Sequence, residues 1–150
     1  MPTFTAAAGV DVSADRAIDG VNVLPALTEG KALDRATPLF WWLWHARGGF
    51  EVAMRAGDYK LVATMVPQAK PGDISDAAVP EGWSIMEFIK KAELDRFEMY
   101  DLGRDPSEAK NVAQAQPERF AALRQRMIQL HAEIRAEGPV YELGRKTGKK

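Results

Sequence analysis

No cysteine occurs among the 150 residues. That excludes disulfides, thiolate metal sites and a cysteine nucleophile, and leaves the compartment undecided. Histidine is scarce as well: His45 and His131 are the two, and neither stands at metal-ligand spacing from the other or from nearby carboxylates. No apolar run approaches the roughly 18 residues a bilayer-spanning helix needs. "MPTFTAAAGVDV" has neither the charged start nor the long apolar stretch of a signal peptide. Charge excess is missing too. Twenty Lys and Arg face twenty-one Asp and Glu, a formal net charge of −1, so electrostatics gives no case for nucleic acid or a membrane surface as partner. Ser13, Ser75, Ser84 and Ser107 lie in loop or cap settings, without a nucleophile-elbow pattern. No glycine-rich phosphate loop is present. A self-contained active site is therefore not expected, and no residue is assigned as catalytic.

What is present suits one globular domain: 46% hydrophobic and 27% charged residues, enough to enclose a core. Pro2 to Ala8 reads as one or two turns of helix stopped by Gly9, and 11–38 as mostly loop, punctuated by Asp11, Asp19-Gly20, Pro25, Gly30 and Pro38. Leu39–His45 is rich in strand formers, and Ala46-Arg47-Gly48-Gly49 reads as a turn. Phe50, Val52 and Met54 then alternate with Glu51, Ala53 and Arg55, the period-2 mark of a half-buried strand. After a turn at Ala56-Gly57-Asp58, Tyr59–Ala63 returns as a third strand. A long segment, Met65–Gly82, precedes a short helix, Ser84–Leu94, and a fourth strand, Arg96–Leu102. Phe120, Leu123, Met127, Leu130 and Ile134 recur at helical steps, so Pro117–Glu137 predicts one helix about 30 Å long. Asp105, Pro106 and Asn111 read as turn and cap chemistry, and "GRKTGKK" as a solvated tail. The expected fold class is α+β: a small antiparallel β-sheet of about four strands packed against a long C-terminal helix.

Phe40, Trp41, Trp42, Trp44 and His45 form an aromatic cluster. Strand geometry puts Trp42 and Trp44 on one face and Trp41, Leu43 and His45 on the other. One face is expected under the helix. The other is expected to be covered too, because a row of exposed aromatics makes a sticky patch. Most of the cluster thus reads as core. His45, at the strand end beside a glycine-rich turn, is the polar aromatic placed for the rim of a site.

The order of these pieces resembles the C-terminal portion of an arylsulfatase-type sulfatase, in the alkaline-phosphatase-like superfamily. The similar stretches are "MPTFTAAAGV", "RAIDGVNVLPALTEG", "PLFWWLWHARGGFEVAMRAGDYKLV" and "FEMYDLGRDPSEAKNVAQAQPERFAALRQRM". The resemblance implies that residues 1–38 are the end of a catalytic domain plus a linker, and that 39–150 form the C-terminal subdomain, with an insertion at about 64–95. It implies a sulfatase catalytic domain as partner, in the same chain or as a separate one, ahead of Met1. That domain would carry the formylglycine and calcium of the family, while this chain has no Cys and no Pro-Ser-Arg motif and holds no cofactor of its own. An export signal on the whole enzyme would make it periplasmic or secreted. Within such an enzyme the chain would brace the catalytic domain and wall the substrate cleft; strand-end position and residue type, not the family's motifs, then mark His45, Trp44 and Arg47 as the candidate substrate-binding residues. Two departures stand out: Tyr59 replaces a frequent Trp, and the 64–95 segment is longer than the family's usual loop. The insertion reaches the substrate mouth or decorates an edge. Two alternatives remain open: a stand-alone protein-interaction domain, and a truncated, non-functional gene product.

Overall fold

The structure is a computed structural model that describes residues 1–12, 18–33, 35–46, 49–66 and 79–139, with side chains described at all of these but 44–46, 49 and 85. The chain divides into two compact units, Met1–Pro38 and Leu39–Lys150.

In the first unit, α1 (Pro2–Ala7) begins with proline in its first turn, where the missing N–H costs nothing. Thr3 ties it to the following chain, its Oγ1 accepting from the Val23 amide at 3.1 Å. A second helix, α2 (Leu24–Glu29), occupies a stretch that the sequence reading assigns to loop. The short-range chemistry accounts for it. Asn22 Oδ1 accepts from the Leu24 amide at 2.9 Å, Pro25 presets the first turn, and Gly30 takes the left-handed conformation (φ 65°) that closes the helix.

The second unit is a four-stranded meander of order β1-β2-β3-β4, every pair antiparallel: β1 (Leu39–Ala46), β2 (Gly49–Ala56), β3 (Tyr59–Val66) and β4 (Glu93–Asp101). Between β3 and β4 lies α3 (Ile85–Lys91), and α4 (Pro117–Glu137) follows the sheet. The α+β expectation holds. Boundaries shift: β3 runs past Ala63 to Val66, and Leu94 belongs to β4 instead of ending a helix. Ser84 starts α3 with a reciprocal cap, its Oγ accepting from the Glu87 amide while the Glu87 carboxylate accepts from the Ser84 amide. Ala92 turns extended (φ −62°, ψ 134°) and stops it. Residues 67–78 of the expected Met65–Gly82 segment, and the tail from 140, lie outside the described residues.

Register places two rows on one face, Phe40–Met54–Leu61–Met99 and Trp42–Val52–Ala63. Met54, Leu61 and Met99 are fully buried, and they meet Phe88 of α3 and Met127 of α4 in one core. Val79, Phe120, Leu123 and Ile134 pack around it, as the helical stripe predicts for the last three. A bulge in β4 keeps Leu94 and Phe97 both against this core: Arg96 and Phe97 stand opposite Ala63, and Arg96 takes the left-handed φ of 45°. The Asp105 carboxylate accepts from Ser107 Oγ and the Lys110 amide, and Asn111 Oδ1 accepts from the Met99 and Ala113 amides, the expected turn chemistry.

Candidate functional site

The other face of the sheet is divided. Its rows are Leu39–Arg55–Lys60–Tyr100, Trp41–Ala53–Val62–Glu98 and Leu43–Glu51–Thr64–Asp95. Toward β4 the polar side chains are bonded to one another. Lys60 Nζ meets the Glu108 carboxylate at 2.6 Å, Tyr100 Oη donates to Glu98, and Arg96 Nε donates to Thr64 Oγ1 at 3.3 Å. Lys60 is thus paired. Glu51 sits between this polar half and β1. Burial, then repulsion from Glu98, raises its pKa above the ordinary carboxylate value, against the opposing pull of Lys60 and Arg96.

Toward β1 the face is apolar and open: Leu39, Trp41 and Leu43 are 43%, 36% and 47% exposed. This corrects the expectation that both faces of the aromatic cluster are covered. Phe40 and Trp42 do pack against the core, whereas among the described residues Trp41 and its neighbours form an uncovered strip on the sheet's edge strand. Ala53 lies buried beside Trp41 in the same row.

At its far end β1 carries the residues named from sequence. The register slips between Leu43 and Ala46, so the Trp44 and His45 backbone stands opposite the single residue Phe50. That is a backbone bulge, and the side chains of Trp44 and His45 lie outside the described ones. Phe50 beneath is buried, its ring 5.2 Å from Phe88 of α3, so this end of the sheet is anchored. Arg47 lies outside the described residues.

The second histidine is the residue that sequence reasoning missed. His131 is 1% exposed, its ring centroid 5.0 Å from Trp42 and 6.3 Å from Phe40. Its Nε2 is buried with no hydrogen-bond partner among the described residues. Burial, and then the Arg135 guanidinium, lowers its pKa to about 4, so the ring is neutral at physiological pH. The helical stripe holds the signal: His131 lies four residues after Met127 and three before Ile134, on the same face.

A hollow of about 340 Å³ opens between α3 and the end of α4, with Trp42, Met86, Ile89 and Ile134 in its walls. Its two cations are already committed. Lys90 Nζ donates to the Arg135 and Gly138 carbonyls, and Arg135 Nη1 donates to the Ala92 carbonyl at 2.8 Å. Each helix is therefore held at its C-terminal carbonyls by a side chain of the other, which is structural work. Among the described residues no group of three or more His, Cys, Asp or Glu could hold a metal ion, and no helix is long and apolar enough to cross a membrane. The sequence has neither a Cys nor a Pro-Ser-Arg motif around any of its serines, and the described residues offer no carboxylate cluster, so they do not fit a formylglycine or calcium centre.

No family model matches the chain, and no curated protein matches it. Solved structures do. BT4656, determined in complex with its substrate D-glucosamine-2-N,6-O-disulfate, superposes with a TM-score of 0.54 at 20% identity, over 94% of this chain and 24% of its own. Ps i-CgsB, also determined with k-i-k-neocarrahexaose, gives 0.55 at 18% identity, over 87% of this chain and 22% of its own. A Bacteroides thetaiotaomicron protein designated BT33336S-sulf, reported with the metabolism of multiple glycosaminoglycans, gives 0.50 at 23% identity, over 86% and 23%. This chain spans about a quarter of the length of each. At these identities the likeness establishes the fold, and it falls on sulfatase structures, in agreement with the resemblance read from the sequence.

Proposed function

We propose that this chain is the C-terminal subdomain of a sulfatase-like hydrolase of the arylsulfatase type, in the alkaline-phosphatase-like superfamily, and that it braces a catalytic domain and walls the substrate cleft. The observation that carries this reading is coverage: 94% of the chain lies along 24% of a protein determined with a sulfated glucosamine as its substrate. The open strip Leu39–Trp41–Leu43 supports it, as an apolar surface with a polar border of the kind that protein partners cover. The partner is the catalytic domain, in the same chain or separate, and it holds the formylglycine and calcium. His45, Trp44 and Arg47 contribute substrate binding at the β1–β2 end, where a bulge commonly re-aims side chains next to a site. Such an enzyme acts on a sulfated sugar, and an export signal would send it to the periplasm or the medium.

A chimera tests this. This chain replaces the matching quarter of BT4656, circular dichroism confirms folding, and sulfate release from D-glucosamine-2-N,6-O-disulfate is measured. His45→Ala should raise KM more than it lowers kcat, the sign of lost uniform binding. Unchanged kinetics in a folded chimera would remove His45 from the site. The stand-alone interaction domain is favoured by the same open strip, and differs in having a partner without sulfatase chemistry.

A further inference from the structure

We propose that His131 is an acid-sensitive latch: its protonation unseats α4 from Phe40 and Trp42 and frees β1 at the edge of the sheet. The histidine ring is enclosed, 1% exposed, with the Trp42 and Phe40 rings against it. Its Nε2 finds no acceptor among the described residues, so in the doubly protonated, charged ring the Nε2–H has nowhere among them to donate. Among the described residues the charges at this seam give no relief. Arg135 stands one helical turn on and acts on His131 with like sign. It is fixed there by the Ala92 carbonyl and the Glu93 carboxylate, which sits 3.3 Å from Nη1 and is thereby spent. Lys90 of α3 is bound to the α4 carbonyls, and β1 offers the two rings. Those rings return a small cation–π attraction, which is weaker than the cost of burying an unpaired charge.

β1 is the strand with least to lose by this. Among the described residues it pairs with β2 alone, as the edge of the sheet, and its Phe40 and Trp42 rings rest against the core and His131 of α4. The strand also carries Trp44 and His45, so the latch would regulate the proposed site, and to that extent its meaning rests on the functional reading above. Linkage gives the direction. A histidine with a depressed pKa binds fewer protons folded than unfolded, so stability is present above the unfolded value of 6.5 and is lost as pH falls toward about 4.

Two histidines make the test direct. Proton NMR of the imidazole Cε1–H signals from pH 7.5 to 4, with His45→Ala for assignment, reads the His131 titration. Hydrogen exchange along β1 reads opening, and thermal unfolding of the wild type beside His131→Phe and His131→Gln reads linkage. The latch predicts that His131 stays neutral to below pH 5, that β1 loses protection as it titrates, and that wild-type Tm falls across that window. Either folded variant should flatten the fall. Titration of His131 near 6.5 with β1 still protected, or an unchanged pH slope in the variants, would overturn the proposal. None of these readouts involves sulfate hydrolysis, so failure of the latch and failure of the functional reading are separable.

Discussion

The two faces of the sheet are made from the same four strands and differ in what completes them. On one, Met54, Leu61 and Met99 are shut away by α3 and α4. On the other, Leu39, Trp41 and Leu43 stand 36–47% exposed while the polar residues beside them are bonded to each other. The first face is finished by this chain's own helices. The second has its polar half satisfied and its apolar half uncovered among the described residues, and that open half supports the proposed function.

The largest test of this contrast is truncation. Leu61→Ala should cost about 2–5 kcal/mol through lost burial and a cavity, whereas Leu43→Ala should cost less than about 1 kcal/mol, both read by denaturant unfolding. Similar costs at the two sites would mean the open face is covered after all. Neighbouring tryptophans sharpen it. Trp42→Ala removes a ring from the core and from His131, so its loss of stability should exceed that of Trp41→Ala by about 1 kcal/mol or more. The Lys60–Glu108 pair, with side chains 21% and 32% exposed, should contribute no more than about 1 kcal/mol in a double-mutant cycle, falling with added salt. Smallest is Glu51. Its raised pKa means the folded state binds more protons than the unfolded one, so it weakens the fold as pH rises through that pKa. Glu51→Gln should therefore stabilise the chain at neutral pH, by less than about 0.5 kcal/mol, and remove that slope from the Tm profile.

Much of the architecture was legible because periodicity speaks for burial. The alternation Phe50–Val52–Met54 and the stripe Phe120–Ile134 both found their core faces. Where the chain departs from periodicity, the reading failed for physical reasons. The backbone bulges at Trp44–His45 and at Arg96–Phe97 insert a residue that no single-strand pattern announces, and the second keeps both Leu94 and Phe97 against the core. α2 arose from the Asn22 bond to the Leu24 amide, Pro25 in the first turn and the Gly30 C-cap, in a stretch too short for a helical period to show. The open face was missed because Trp and Leu in a strand look the same whether their cover lies in the chain or outside it. His131 was passed over for the opposite reason: a titratable residue on an apolar stripe was sought as a ligand and was core.

The measurement that bears most directly on the central claim is the DNA sequence around the Met1 codon. The account predicts an open frame, continuous with this one or in an adjacent gene, that encodes a Cys- or Ser-containing Pro-Ser-Arg motif and the calcium-binding carboxylates of a catalytic domain. A closed frame upstream, with no such motif in the neighbouring genes, would contradict it.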